Sequence, residues 1–314
     1  MAAKRKSKVR DILEETGFGS KSFSDLERLI KRDGTFNVTK KGAGLKRFSL
    51  YYTLINLHWG ALLFYGVLGY LILNLVFAYG YYIAGPEQLS GGAELLDSKE
   101  FFLHCFYFST QTLTTVGFGR ISPLMGMSSI LAAIEAIIGL LAFAFATSVL
   151  YGRFSKAKAR ILFSEMMVVS PYRGIKGLKF RIANPRKNEL IEVKAKVIFS
   201  HLEETNGVKV RRYTPLHLEI DFINMFPLPW TIVHPLDDES PIKDASKASL
   251  IKSQSEFIIM LRGYDEAFNQ EVHKVYSYRA NEILFGYDFV PMFDTGFEKS
   301  TTVQLDLISK TVKV

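Results

Sequence analysis

The stretch Ser109-Thr110-Gln111-Thr112-Leu113-Thr114-Thr115-Val116-Gly117-Phe118-Gly119 carries chemistry in its backbone rather than in its side chains. Glycines at 117 and 119 can take left-handed conformations without a Cβ penalty. Alternation of ordinary and left-handed residues turns successive carbonyl oxygens to the same side. Such a column of oxygens can replace the water around a dehydrated cation, and four columns about one axis supply the roughly eight oxygens that K⁺ needs. Thr115, Val116, Gly117, Phe118 and Gly119 are therefore the candidate coordinating residues, with K⁺ held at Thr115, Val116, Gly117 and Phe118. Thr115 can add a hydroxyl at the inner end, while Val116 and Phe118 point away and brace the backbone. A short helix ending before this loop would aim its partial negative charge at the same axis. The five-residue string alone is also compatible with an ordinary turn, so its setting decides.

That setting is apolar. From Phe48 to Pro86 there are 39 residues without Asp, Glu, Lys or Arg, and from Ile121 to Gly152 the one charged residue is Glu135. A membrane-crossing helix needs about 20 mostly apolar residues, so each run holds one span. Residues 58–84 read as an outer helix, with Trp59, Tyr79, Tyr81 and Tyr82 as an aromatic belt at its ends. Residues 121–152 read as an inner helix. Residues 45–57 open on Lys46-Arg47 and carry Phe48, Tyr51, Tyr52 and Ile55, which suits a helix lying in the membrane interface. Residues 85–98 form an external loop broken by Gly85-Pro86 and Gly91-Gly92. Residues 99–120 hold a helix too short to span, followed by the glycine-spaced loop. Such a re-entrant segment is tolerable in a bilayer only where protein or water surrounds it.

Charge sets the orientation. Residues 1–47 carry 13 Lys/Arg against 6 Asp/Glu, and Arg153, Lys156, Lys158 and Arg160 follow the second span. Basic flanks stay inside, so both termini are expected in the cytoplasm of a cell (inner) membrane, with 85–120 outside. No secretory signal pattern is visible in the first 47 residues. The net charge of +8 clusters beside the spans, where anionic lipid headgroups rather than nucleic acid are the expected partner. The single cysteine, Cys105, excludes a disulfide scaffold.

Beyond the basic linker 153–160 the pattern changes. Glu192–Val197, His217–Phe222, Phe257–Leu261, Val272–Tyr278 and Val303–Leu307 alternate polar and apolar residues, the signature of strands with one buried face. A short strand at Thr35–Val38 and a short helix at Ser24–Lys31 are expected before the spans. Residues 161–314 then read as a β-sandwich. This domain offers no nucleophile–base constellation or metal-ligand spacing, and no G-x-G-x-x-G follows a strand. Neither an enzyme nor a cofactor is expected.

Three further stretches carry a family resemblance. Lys31-Arg32-Asp33-Gly34-Thr35-Phe36-Asn37-Val38, His234-Pro235-Leu236-Asp237-Asp238-Glu239-Ser240-Pro241 and Ser277-Tyr278-Arg279-Ala280-Asn281-Glu282-Ile283-Leu284-Phe285-Gly286 resemble motifs of the inward-rectifier potassium channels, in their prokaryotic branch. The likeness runs from residue 28 to about residue 300. It implies a homotetramer of two-span subunits over immunoglobulin-like cytoplasmic β-sandwiches, which ring an extended ion pathway.

The resemblance also implies roles. Phe143 matches a cavity position where strongly rectifying relatives carry an acid, so weak rectification is expected. Tyr151 matches the bulky residue of a helix-bundle gate, though an interfacial anchor is the alternative. Lys46, Arg47, Arg153, Lys156, Lys158 and Arg160 match lipid-binding positions, with Ala157 in place of a proline and His58 in place of an arginine. Glu282 aligns with an acid of the cytoplasmic pore. Arg120 follows the filter where many bacterial relatives carry aspartate, and pairing with Asp97 or Glu100 would blunt its charge. From the residues themselves, Glu135 is an acid inside a span and functional by default. It is expected to accept hydrogen bonds behind the filter, with Gln111 as a partner. Gly139 is read either as a hinge or as a close-packing site. A weakly selective cation channel and a membrane-anchored β-domain sensor with a vestigial pore stay open as alternatives.

Overall fold

Two long helices and two facing sheets form the framework of the chain. The computed structural model describes residues 28, 30–32, 34–37, 42, 49–124, 126–156, 159–205, 208–293 and 302–314. They divide between two compact units, one of residues 42–156 and one of residues 1–41 with 157–314. Lys46, Arg47 and Lys158 lie outside the described residues, as does most of Ser24–Lys31.

The first unit is helical. Helix α1 (Leu50–Asn56) is the described part of the expected interfacial helix, α2 (Trp59–Ala84) the outer span, α3 (Ser98–Leu113) the short re-entrant helix and α4 (Met127–Phe154) the inner span. Both α2 and α4 are long and apolar enough to cross a membrane. Only 17% and 11% of their most apolar windows are buried within the chain, so these are not core helices of a soluble domain. Helix α3 starts where it does because Asp97 accepts from the backbone N–H groups of Lys99 and Glu100, while Glu100 reaches back to the Asp97 N–H. This reciprocal cap satisfies donors that the helix itself cannot.

The second unit is built from strands. One sheet runs β1 (Leu162–Phe163), β3 (Ile175–Ala183), β2 (Met167–Tyr172), β10 (Ile283–Phe285), with β7 (Trp230–Pro235) also on β3. The other runs β5 (Val208–Leu216), β4 (Leu190–Thr205), β8 (Glu256–Asp265), β9 (Gln270–Arg279), with β6 (Phe222–Met225) also on β4. Pairing is antiparallel except for β10 on β2. Strands β11 (Tyr287–Phe289) and β12 (Thr311–Lys313) form a small separate ribbon. Alternate residues of the two sheets meet in one core, Leu178, Phe180 and Ile182 from β3 facing Val197, Phe199, Phe257 and Ile259 from β4 and β8. The expected β-sandwich is thus present.

Three expected strands differ. His217–Asp221 alternates but lies between β5 and β6, because its backbone bonds are made singly, from Glu219 N to Val233 O and from Ala195 N to Asp221 O. Val303 makes one isolated bridge to Phe293, and Leu305–Leu307 curls into a 3₁₀ turn. Of Thr35–Val38, Phe36 makes a single bridge to Ile30, and Val38 lies outside the described residues. Helix α5 (Lys247–Lys252) was not expected.

Candidate ion-coordinating site

The loop after α3 has the alternation that a carbonyl column requires. Thr115, Gly117 and Gly119 have φ of 57°, 56° and 77°, whereas Val116 and Phe118 do not take positive φ. The left-handed conformation of Thr115, a residue already placed in the coordinating loop, is what the sequence pattern missed. A β-branched residue is rarely left-handed, so its type gave no sign of its conformation. The N–H groups fold back on the helix: Thr115 N bonds Thr112 O at 3.0 Å, Val116 N bonds Gln111 O at 3.0 Å and Gly117 N bonds Gln111 O at 3.4 Å. Among the described residues, no hydrogen bond ends on a carbonyl oxygen of Thr115–Gly119. Donors on one side and free acceptors on the other make a surface suited to a cation.

The return of the loop is anchored from two directions. The Gln111 amide donates to Ile121 O at 3.1 Å. Ser90 N donates to Ser122 O at 2.9 Å and Leu124 N to Gln88 O at 2.9 Å. Gln111 therefore ties the two ends of the loop together and does not partner Glu135 as expected. Arg120 is exposed and forms no ion pair among the described residues. The carboxylates of Asp97 and Glu100 are engaged in capping α3 instead.

Glu135 is fully buried on α4. It accepts from the Tyr81 hydroxyl at 2.6 Å and from Ser109 Oγ at 2.5 Å. Ser109 Oγ also lies 3.1 Å from Asn74 Oδ1. Tyr81 is itself buried, its ring edge-on to Phe108 at 4.8 Å, so it is not part of the aromatic belt expected of it. Its neighbours Tyr79 and Tyr82 are on the exposed side. The signal for this group was the polar Asn74 inside a charge-free run. Gly139 lies against the end of α3: a Cβ there would sit 2.2 Å from Leu113 O. Close approach of the two backbones therefore requires glycine at this position.

Phe143 and Tyr151 are both exposed on the single chain. The basic residues divide. Arg153 donates to Leu54 O at 3.0 Å and to Leu57 O at 2.6 Å, and its guanidinium lies 4.4 Å from the Trp59 ring centroid. Lys156 Nζ donates to Asn56 Oδ1 at 2.7 Å. Arg160 is exposed. Arg153 thus binds the last carbonyls of α1, a role its sequence position did not disclose.

Glu282 is not a free vestibule acid within the described residues. Arg32 Nη2 reaches Glu282 Oε1 at 2.5 Å and Arg28 Nη2 reaches Oε2 at 3.2 Å, and Arg279 N donates at 2.9 Å. Burial opposes ionisation of this carboxyl. The Arg279 amide and the two guanidinium groups outweigh it and hold the carboxyl below its ordinary pKa. His234 and Ser240 of the second motif bond each other at 2.8 Å, and His234 Nδ1 donates to His217 O at 2.6 Å. That motif shapes a loop.

A family model described as inward rectifier potassium channel C-terminal domain matches residues 161–314, and one described as ion channel matches residues 69–156. The chain is similar to inward rectifier potassium channel Kirbac3.1 of Paramagnetospirillum magnetotacticum, 33% identical over 85% of this chain and 90% of the relative. It is similar to ATP-sensitive inward rectifier potassium channel 12 of Bos taurus, 26% identical over 89% of this chain and 70% of the relative. G protein-activated inward rectifier potassium channel 3 of Mus musculus is 28% identical over 84% of this chain and 72% of its own length. With an ion-channel match and two helices of membrane length, the chain is a membrane protein.

Proposed function

Because the chain belongs to the inward rectifier potassium channel family, we propose that four copies of it assemble about one axis and pass K⁺ through the loop Thr115–Gly119. The observation that carries this reading is the alternation of left-handed residues at 115, 117 and 119 beside carbonyl oxygens that accept no hydrogen bond among the described residues. Peptide oxygens fixed in this way substitute for the hydration shell of the ion. The C-terminal end of α3 leads into this loop, and its partial negative charge favours a cation that has shed water.

Conduction is passive and needs no covalent chemistry or cofactor. The apolar faces exposed on the single chain, Phe143 and Tyr151 among them, are then covered by neighbouring subunits or face the pore. Tyr151, near the end of α4, is the narrowest point in this scheme, where four large side chains close the pore by excluding water. Anionic lipid acts on the basic residues that flank the spans, with both termini in the cytoplasm of a cell (inner) membrane.

The test is flux. Purified protein in liposomes containing anionic lipid is expected to take up Rb⁺ or K⁺, to be blocked by Ba²⁺ and to exclude Na⁺. Protein that stays monomeric, or that admits Na⁺ as readily as K⁺, would overturn the reading.

A further inference from the structure

The re-entrant helix α3 meets the inner helix α4 at two points with matched spacing. Glu135 and Gly139 lie one turn apart on α4, and Ser109 and Leu113 lie one turn apart on α3. At the first point Ser109 Oγ donates to Glu135 Oε1 at 2.5 Å. At the second, the backbones touch so closely that a Cβ on Gly139 would lie 2.2 Å from Leu113 O. One contact fixes how far apart two helices sit. Two contacts, four residues apart on both, also fix how far one has slid along the other.

The outer span joins at the same carboxylate. The Tyr81 hydroxyl donates to Glu135 Oε2 at 2.6 Å, and the Tyr81 ring packs on Phe108 of α3. Asn74, from the same helix, places Oδ1 3.1 Å from Ser109 Oγ. Asn74, Tyr81, Ser109 and Glu135 are all fully buried. A buried acceptor that loses its donor costs more than the bond was worth, so the group holds one arrangement.

Among the described residues, no hydrogen bond joins these side chains to the coordinating loop. The loop nevertheless hangs from α3, since the N–H groups of Thr115, Val116 and Gly117 bond the carbonyls of Thr112 and Gln111. Any sliding of α3 therefore moves the coordinating oxygens.

We propose that Tyr81, Ser109 and Glu135 are positioning residues: by tying α3 to both spans through one carboxylate they set the level of the coordinating loop, and with it the discrimination of K⁺ from Na⁺. The inference rests on the conduction reading given above.

Reversal potentials of Tyr81→Phe, Ser109→Ala and the double variant in liposomes test it, with assembly followed by gel filtration. Tyr79→Phe, on the exposed side of α2, serves as control. Each single variant is expected to lower the K⁺ over Na⁺ permeability ratio by about threefold or more while remaining assembled. The double variant should lose less than the product of the two single losses, because both act through one acceptor. Wild-type ratios in both assembled single variants would overturn the proposal, since a purely structural role changes heat stability without changing the ratio. Fully multiplicative losses, or an equal loss in Tyr79→Phe, would also overturn it. A wild-type protein that fails to discriminate overturns the conduction reading itself; a selective wild type with unchanged variants overturns this inference alone.

Discussion

Phe143 shows how far one side chain can be read. It sits four residues after Gly139 on α4 and is exposed on the single chain. An acid there would draw polyvalent cations into a cavity of low dielectric, where their attraction to it is strong; phenylalanine cannot. Phe143→Asp is expected to steepen block by internal Mg²⁺ or polyamines by about tenfold or more, since each tenfold needs only about 1.4 kcal/mol. Concentration–block curves on the two proteins check this, and identical curves would remove Phe143 from the ion path. At this scale the sequence was informative where composition itself is the signal. Gly117 and Gly119 announced a left-handed backbone, and Glu135 stood out as an acid in an apolar run. It was uninformative where a residue's role depends on what reaches it. The donors to Glu135 lie 26 and 54 positions away. Tyr81 was mistaken for a belt residue because an aromatic near the end of a span reads the same whether it turns outward or inward.

Among the elements, the joint between α1 and α4 is the one that sequence pattern concealed. Arg153 caps two carbonyls at the end of α1 and stacks on Trp59. A guanidinium does both because its donors form a planar fork, whereas lysine keeps the charge and loses the fork. Arg153→Lys is therefore expected to lower the stability of the assembled protein by about 1–3 kcal/mol and to leave its response to anionic lipid in place. Heat denaturation and flux at varied lipid charge separate the two effects. A lipid response lost at unchanged stability would return Arg153 to the headgroups. Spans, re-entrant helix and the strands β4, β8 and β9 followed from period and charge alone, because each is dictated by what its own residues must bury. His217–Asp221 and Leu305–Leu307 alternate like strands and are not, since a strand also needs a neighbour in register, and here the neighbours supply isolated bonds.

For the molecule as a whole, the β unit carries a built-in sensitivity to acid. Burial pulls the pKa of His234 below its ordinary 6.5, against the raising effects of the His217 carbonyl and Asp237 and with a small lowering from His217. Burial likewise lowers that of His201. Below about pH 6.5 the unfolded chain takes up more protons than the folded one, so stability is full above that value and declines beneath it. Heat-denaturation midpoints should fall between about pH 7 and pH 5.5, and the fall should be smaller in His234→Gln. Equal slopes would exclude His234 as a source. The clamp on Glu282 was out of reach of sequence reasoning for a similar reason: its arginines, Arg28 and Arg32, stand some 250 positions away in the chain. The left-handed Thr115 leads to one last point. A branched residue at φ 57° is of order 1–2 kcal/mol less comfortable than in its ordinary conformation. Mutual repulsion of aligned oxygens adds to that discomfort. On the conduction reading, the attraction between the permeating ion and these oxygens cancels the repulsion and offsets the backbone cost. The cargo is then a ligand that keeps its own passage in shape, and a bath drained of it would let the passage slacken and shut.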